Sequence, residues 1–305
     1  MTHSHSSTIG ILGGSGLYDM DGLANQRREK VRSSFGEPSD ELCFGELEGV
    51  QLVFLPRHGR GHHLPPSEIN FRANIDAMKR VGVTDILSVS AVGSLNPDLS
   101  PGTFVIVDQF IDRTFARTKS FFESGLVAHV SMAHPVCARL GNHIEAAARE
   151  ADIEAGIPVV RGGTYLAMEG PQFSSRAESE LYRSWGCDVI GMTNMPEAKL
   201  AREAEICYAT IAMVTDFDCW HPDHNNVTVE AVIEMLQGNA HKARSLISSL
   251  VPKLGDHEGP CAEGCQRALE YALITALDAR DPELARRLDA VAGRVLGKQK
   301  PTETL

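Results

Sequence analysis

Long apolar runs are missing from this chain: no stretch approaches about 18 apolar residues, so no helix is expected to span a membrane. The first residues, Met1 to Thr8, are polar and hold no apolar core, which argues against a secretory signal. Cationic surplus is missing too. Lys and Arg number 29 against 40 Asp and Glu, a formal net charge of −11. Without a basic field the chain is a poor holder of nucleic acid, although a local cationic pocket for a small anion stays open. The seven cysteines, at 43, 137, 187, 207, 219, 261 and 265, are odd in number and scattered. They make no disulfide framework and suit a reducing cytoplasm. Cys261-x-x-x-Cys265 lacks further Cys or His at zinc spacing and reads as two thiols. His58, His62 and His63 cluster, but Gly59 and Gly61 oppose a helix and Arg57 and Arg60 repel a cation, so no metal is expected. Nucleotide fingerprints are absent as well. After Gly13-Gly14-Ser15-Gly16, position 19 is Asp rather than Gly, and no Gly-Lys-Ser/Thr follows.

What is present is an alternation of short apolar, β-branched runs with amphipathic stretches. Residues 8–12, 50–55, 85–89, 102–108, 164–168, 188–192 and 206–214 read as strands. Phe71, Ile75 and Met78 share one helical face, and Cys137, Leu140, Ile144, Ala147 and Ala151 another. Ala177, Leu181 and Trp185 read as the apolar stripe of a third helix, and a long one runs from Val229 to about Leu250. The pattern predicts an α/β protein with one domain and a central mixed β-sheet flanked by helices on both faces. Residues 1–7 are expected to be a flexible tail, 8–305 the domain, and 256–305 its helical C-terminal extension.

In such sheets ligands bind beyond the carboxyl ends of the strands. Five of those ends carry polar or charged residues here: Ser15, Arg57 with His58, Ser90, Thr193, and Asp216 with Asp218. Hydroxyls and an Arg fork suit phosphate. The two Asp, spaced i and i+2, would point the same way if the strand continued through them. Phe217 and Trp220 beside them would raise a carboxyl pKa by desolvation. Read alone, the pair equally fits a strand-end turn in which an Asp bonds its own backbone. An oxyanion pocket facing an acid pair suits phosphorolysis of a purine nucleoside. Phosphate attacks the anomeric carbon through an oxocarbenium-like transition state while a general acid protonates the departing base. Asp216 would protonate N7. Asp218, ionised and able only to accept, would take a hydrogen from a 6-amino group and so favour adenine.

Several longer stretches carry a resemblance: Gly13-Gly14-Ser15-Gly16, Pro56-Arg57-His58-Gly59, Ser90-Ala91-Val92-Gly93-Ser94, residues 108–114, residues 169–179, Met192-Thr193 and residues 215–220. In this order the chain resembles the methylthioadenosine phosphorylases of the trimeric purine nucleoside phosphorylase family. The resemblance implies phosphorolysis of S-methyl-5′-thioadenosine in a cytoplasmic homotrimer, with inorganic phosphate as co-substrate and no cofactor. It implies phosphate contacts from Ser15, Arg57, His58, Ser90, Ala91 and Thr193, a ribose contact at Met192, and a purine site of Phe173, Asp216 and Asp218. Ser174, Val227, Val229 and Val232 match the 5′-methylthio pocket. His129, which alone reads as a structural histidine, matches one donated across the trimer interface. Ser15 and Ser90 stand where Thr is common in the family, a change that keeps the hydroxyl. The alternatives are a phosphorylase of 6-oxopurine nucleosides or methylthioinosine, against which the two Asp argue, and a non-catalytic nucleotide-binding module.

Overall fold

The computed structural model describes residues 5–14, 16–17, 20–155, 158–222, 229–257 and 261–297. Its strands are β1 (His5–Ser6), β2 (Thr8–Gly13), β3 (Ala24–Glu29), β4 (Leu42–Leu47), β5 (Val50–Pro56), β6 (Asp85–Ser94), β7 (Phe104–Val107), β8 (Gln109–Asp112), β9 (Val159–Arg161), β10 (Thr164–Ala167), β11 (Val189–Gly191), β12 (Cys207–Asp216) and β13 (Asp256–His257). Its helices are α1 (Phe71–Arg80), α2 (Ala138–Ala155), α3 (Arg176–Ser184), α4 (Asn194–Glu203), α5 (Val229–Leu254), α6 (Pro282–Arg287) and α7 (Asp289–Leu296). Strands β2 to β12 form one mixed sheet in the order β3-β4-β5-β2-β6-β11-β10-β8, with β12 paired to β6 and β7 and β9 to β7.

Period-2 alternation in the central strands accounts for the two covered faces. In β12, Cys207, Ala209, Ile211 and Met213 pack with Leu140, Ile144, Leu246 and Leu250 of α2 and α5. Tyr208, Ala212 and Val214 face the other way, toward Ile75 and Met78 of α1 and Ala198 and Leu200 of α4. A strand buried on both sides reads as a continuous apolar run, which is why this one was legible.

Four expectations need correction. His5 and Ser6 do not belong to a free tail, because β1 pairs with β13. The stripe Ala177, Leu181, Trp185 does not bury α3: Leu181 is 47% and Trp185 43% exposed, while Ser179 and Tyr182 face inward. Cys261 and Cys265 are not an isolated pair, since Cys137 and Cys207 meet them. Among the described residues the C-terminal extension is helical only in α6, α7 and two 3-10 turns, and it begins with the strand β13.

Candidate active site

The sheet opens where β6 changes neighbours. β2 accompanies it to Ser88, and β11 joins that side only at Gly93. Between these points no strand pairs with that edge among the described residues, and β12 follows the other edge throughout. The free edge carries Val89, Ser90, Ala91 and Val92. A crevice at a parting of strands is where the carboxyl ends of an α/β sheet take a ligand.

Arg57 closes the floor of this crevice. Its guanidinium is 2% exposed and donates to Glu197 through Nε and Nη2 at 2.9 Å each, to Val89 O at 2.9 Å, to Ser88 Oγ at 2.7 Å and to Leu12 O at 3.1 Å. Of its five hydrogens, one on Nη1 has no partner among the described residues. The fork pairs with Glu197, because a carboxylate buried to 1% exposure needs a paired cation. Around the pair, Ser88 and Tyr208 donate to Glu197 Oε1 at 2.6 and 2.9 Å, and Asn194 donates to Tyr208 at 2.8 Å. Ser90 Oγ donates to Asn194 Oδ1 at 3.0 Å. Thr193 stands at the N-cap of α4, with its hydroxyl unused for capping.

His58 stacks on His62 with ring centroids 4.1 Å apart. Burial pushes its pKa down to about 4, with the Leu64 carbonyl opposing the fall. Nδ1 lies 2.8 Å from that carbonyl, which can only accept. The proton therefore sits on Nδ1, and Nε2 keeps its lone pair near neutral pH.

The acidic couple lies beside Gly93, the residue at which the free edge closes, but it is carried by the end of β12 on the other edge. Asp216 sits opposite Gly93 across a bulge after Val214. Val89, which anchors Arg57, is four residues before Gly93, a span of about 13 Å along a strand. The strand does not continue to Asp218, whose φ of 51° is left-handed. Asp216 Oδ1 instead accepts the Asp218 N–H at 2.8 Å and Oδ2 the Thr215 hydroxyl at 2.7 Å. The turn reading thus holds for Asp216, while Asp218 is 6% exposed and its Oδ2 has no hydrogen-bond partner among the described residues. Burial raises both carboxyls, Asp218 to about 6, where Ser179 pulls down and Asp216 pushes up. The apolar backing consists of Phe217 and Trp220 with Leu95, Leu166 and Ile190.

Facing the couple is the segment after β10. Cys219 Sγ donates to Ser174 O at 3.4 Å, which holds Phe173 and Ser174 beside the Asp218 turn. Phe173 is 45% exposed and free to receive a flat ligand. Met192 packs its sulfur against the backbone of Gly170, where a Cβ would stand 2.5 Å from it. Ser15 and Val227 lie outside the described residues; Val229 opens α5, and its side chain and that of Val232 are outside them as well. His129 is exposed on an irregular segment, its N–H bonded to Ala272 O at 2.9 Å. A surface cavity lined by Lys79, Glu205 and Arg294 belongs to the opposite, amino end of the sheet.

A sequence model described as the phosphorylase superfamily matches residues 8–252. The chain belongs to this superfamily. A Rhodospirillum rubrum protein named S-methyl-5′-thioadenosine phosphorylase is 65% identical over 289 residues, covering 95% of this chain and 97% of its own. One of the same name from Cereibacter sphaeroides is 60% identical over 94% of this chain and 98% of its own. Among solved structures, a methylthioadenosine phosphorylase from an antarctic soil metagenomic library superposes with a TM-score of 0.88 at 48% identity, covering 94% of this chain and 99% of that one. The Schistosoma mansoni methylthioadenosine phosphorylase in complex with adenine gives 0.75 at 40%, over 82% and 92%.

Two organising residues of this phosphorylase chain were not legible as such. Arg117, buried to 8%, donates to Met195 O at 2.7 Å, Glu169 O at 2.6 Å and Glu169 Oε1 at 3.2 Å, tying the 168–170 and 192–195 segments together. Glu169 Oε2 accepts the N–H groups of Phe115 and Ala116 at 2.5 and 3.1 Å. Burial would raise its pKa, but these bonds and that of Ser67 outweigh it and hold the carboxyl at about 2. Tyr165, fully buried, carries its hydroxyl beside Ser90 and Thr193 without a well-formed hydrogen bond. Gly93 is constrained by contact. A Cβ there would stand 2.9 Å from Asp216 Oδ1 and 3.1 Å from Ile190 Cγ2. Gly93→Ala is expected to cost about 1–3 kcal/mol by overpacking and to lower turnover by displacing the Asp216 turn. Thermal melting and steady-state rates check this, and wild-type turnover in the variant would show that the contact is idle.

Proposed function

We infer that the chain catalyses phosphorolysis of S-methyl-5′-thioadenosine, giving adenine and 5-methylthioribose 1-phosphate. A phosphate oxygen bonds to C1′ as the C1′–N9 bond breaks. The base carries off that electron pair and is neutralised by a proton delivered to N7. The observation that bears most weight is Asp218 Oδ2, a buried acceptor whose neighbouring donor, the Ser179 hydroxyl, makes no well-formed hydrogen bond to it. It stands next to a second carboxyl, above apolar packing and beside Phe173. A buried acceptor so weakly satisfied gains when a ligand donor bonds to it. The 6-amino group of adenine is a donor of the right kind, whereas a 6-oxo oxygen would face it acceptor to acceptor.

In this reading Ser15, Ser90 and Thr193 offer hydroxyls to phosphate, Ala91 its backbone N–H, and His58 the Nε2 lone pair to a phosphate hydroxyl. Arg57 adds its one remaining N–H and its charge. Met192 lies against the ribose and Phe173 against the purine. Asp216 is the N7 acid. Ser174, Val227, Val229 and Val232 take the methylthio group. Phe115, Val127, Tyr271, Ile274 and Leu277 are exposed apolar side chains, and several flank His129, as a subunit interface requires. They support a homotrimer in which His129 reaches a neighbouring site.

The deciding assay mixes the purified chain with S-methyl-5′-thioadenosine and phosphate. Phosphate-dependent release of adenine is expected. Preferred cleavage of inosine or methylthioinosine would reverse the assignment of Asp218, and binding without turnover would remove catalysis altogether. A pH profile tests the same residue. Because burial lifts Asp218 to about 6, it becomes a pure acceptor only above that value. kcat/KM for the 6-amino substrate should therefore rise as pH increases through about 6, and discrimination against 6-oxo nucleosides should rise with it. A flat ratio from pH 5 to 7.5 would contradict the role.

A further inference from the structure

Four of the seven cysteines meet at the amino end of the sheet, far from the crevice. Cys137 directly precedes α2, Cys207 opens β12, and Cys261 and Cys265 flank a turn closed by Gly264 at φ 70°. Their sulfurs all lie within 4.8 Å of one another. All four residues are buried, at 1%, 0%, 7% and 2% exposure. Cys137 and Cys261 Sγ are 3.6 Å apart. Two thiolates bound to one tetrahedral zinc at about 2.3 Å stand about 3.8 Å apart. A disulfide would bring them to about 2.05 Å. The surroundings are cationic. Arg202 Nη1 donates to Cys265 Sγ at 3.5 Å, and Arg139 lies against the Cys207 thiol while pairing with Asp85. Four thiolates around a divalent ion leave two negative charges; Arg202 offsets one, and Arg139, which also answers Asp85, offsets part of the other. The N-terminus of α2, next to Cys137, adds a favourable partial charge.

We propose that Cys137, Cys207, Cys261 and Cys265 form a closed tetrathiolate site for one thiophilic divalent metal, zinc in the first instance. Four protein sulfurs leave no open position, so the role is structural. The Cys-x-x-x-Cys spacing of 261 and 265 is a usual half-site, and its other half comes from β12 and the start of α2. What the metal fixes is the C-terminal segment. Beyond Cys265 this segment takes the His129 N–H on Ala272 O at 2.9 Å, gives the Ile274 N–H to Val127 O at 2.9 Å and takes the Val127 N–H on Thr275 Oγ1 at 2.8 Å. The site therefore anchors the strip that carries His129.

The test is metal stoichiometry and thiol accessibility of the full chain purified under reducing conditions without added metal or chelator. One zinc per chain is expected, with four thiols protected from alkylation until the metal is removed. Cobalt reconstitution should give the intense sulfur-to-metal bands of a tetrathiolate centre. Arg202→Ala should release metal to a chelator about tenfold more readily. Cys265→Ser should lose the metal, while Cys187→Ser, a buried thiol outside the cluster, should keep it. The wild-type stoichiometry decides the matter even if Cys265→Ser fails to fold. A metal-free chain with reactive thiols overturns the proposal. So do two disulfides among these four residues, or bound metal that leaves all four open to alkylation.

Discussion

Asp216→Asn is expected to lower kcat/KM for S-methyl-5′-thioadenosine about 10²- to 10⁴-fold, the usual contribution of a positioned general acid. The substitution is nearly isosteric, and its local bonds survive. An Asn oxygen still accepts the Asp218 N–H now held at 2.8 Å, and the Thr215 hydroxyl can turn to accept from the new amide. The fold should therefore stand, and the loss should fall on kcat more than on KM. In energy the expected loss is about 3–5 kcal/mol of transition-state stabilisation. A rate within a few-fold of wild type would pass the proton to Asp218, which has an unbonded oxygen and a pKa of about 6. Asp218→Asn run beside it separates the two roles. If Asp218 reads the 6-amino group, that variant loses its preference for adenine nucleosides while keeping more of its rate than Asp216→Asn.

How far the sequence carried the reading depended on distance along the chain. β12 was legible because it is buried on both faces and so is apolar nearly throughout. β6 was read only over 85–89, since Ser90, Gly93 and Ser94 carry the strand on without an apolar run. β3 was not. All six residues of Ala24–Glu29 are exposed, and a polar edge strand held by its backbone ladder to β4 leaves no hydrophobic period to find. The spacing of Asp216 and Asp218 was visible, but the left-handed turn between them was not, since Asp tolerates positive φ without demanding it. Arg57 was picked out as a charge at a strand end. Its partner, Glu197, sits 140 residues away within an apparently ordinary helix. Likewise nothing local pairs Arg117 with Glu169, or Cys137 with Cys261. Long-range pairs of single residues are where a one-dimensional pattern falls silent. The strand tips themselves were easier, because polar residues after an apolar run stand out wherever their partners are.

Glu197→Ala should be the most destabilising single change near the site, although Glu197 is not proposed to touch substrate. It leaves the Arg57 guanidinium, itself 2% exposed, without a counter-charge, and strips the acceptor from Ser88 and Tyr208. Breaking a buried pair from one side typically costs about 3–5 kcal/mol. Urea unfolding at a fixed chain concentration would read this loss, since assembly shifts apparent stability by mass action. Glu197→Gln retains the volume but points an amide donor at a guanidinium, so it should rescue little. Replacing both members, Arg57→Met with Glu197→Leu, should recover most of the stability, because the desolvation cost of both charges disappears together. Turnover should not return with it. The Ser88, Asn194 and Ser90 chain would have lost the ion pair that orients it, and phosphate would lose the Arg57 N–H that has no partner among the described residues. A loss below about 1 kcal/mol in Glu197→Ala would mean that the Arg57 charge is met by water or by phosphate itself. The whole fork, not one N–H alone, would then be open to the oxyanion.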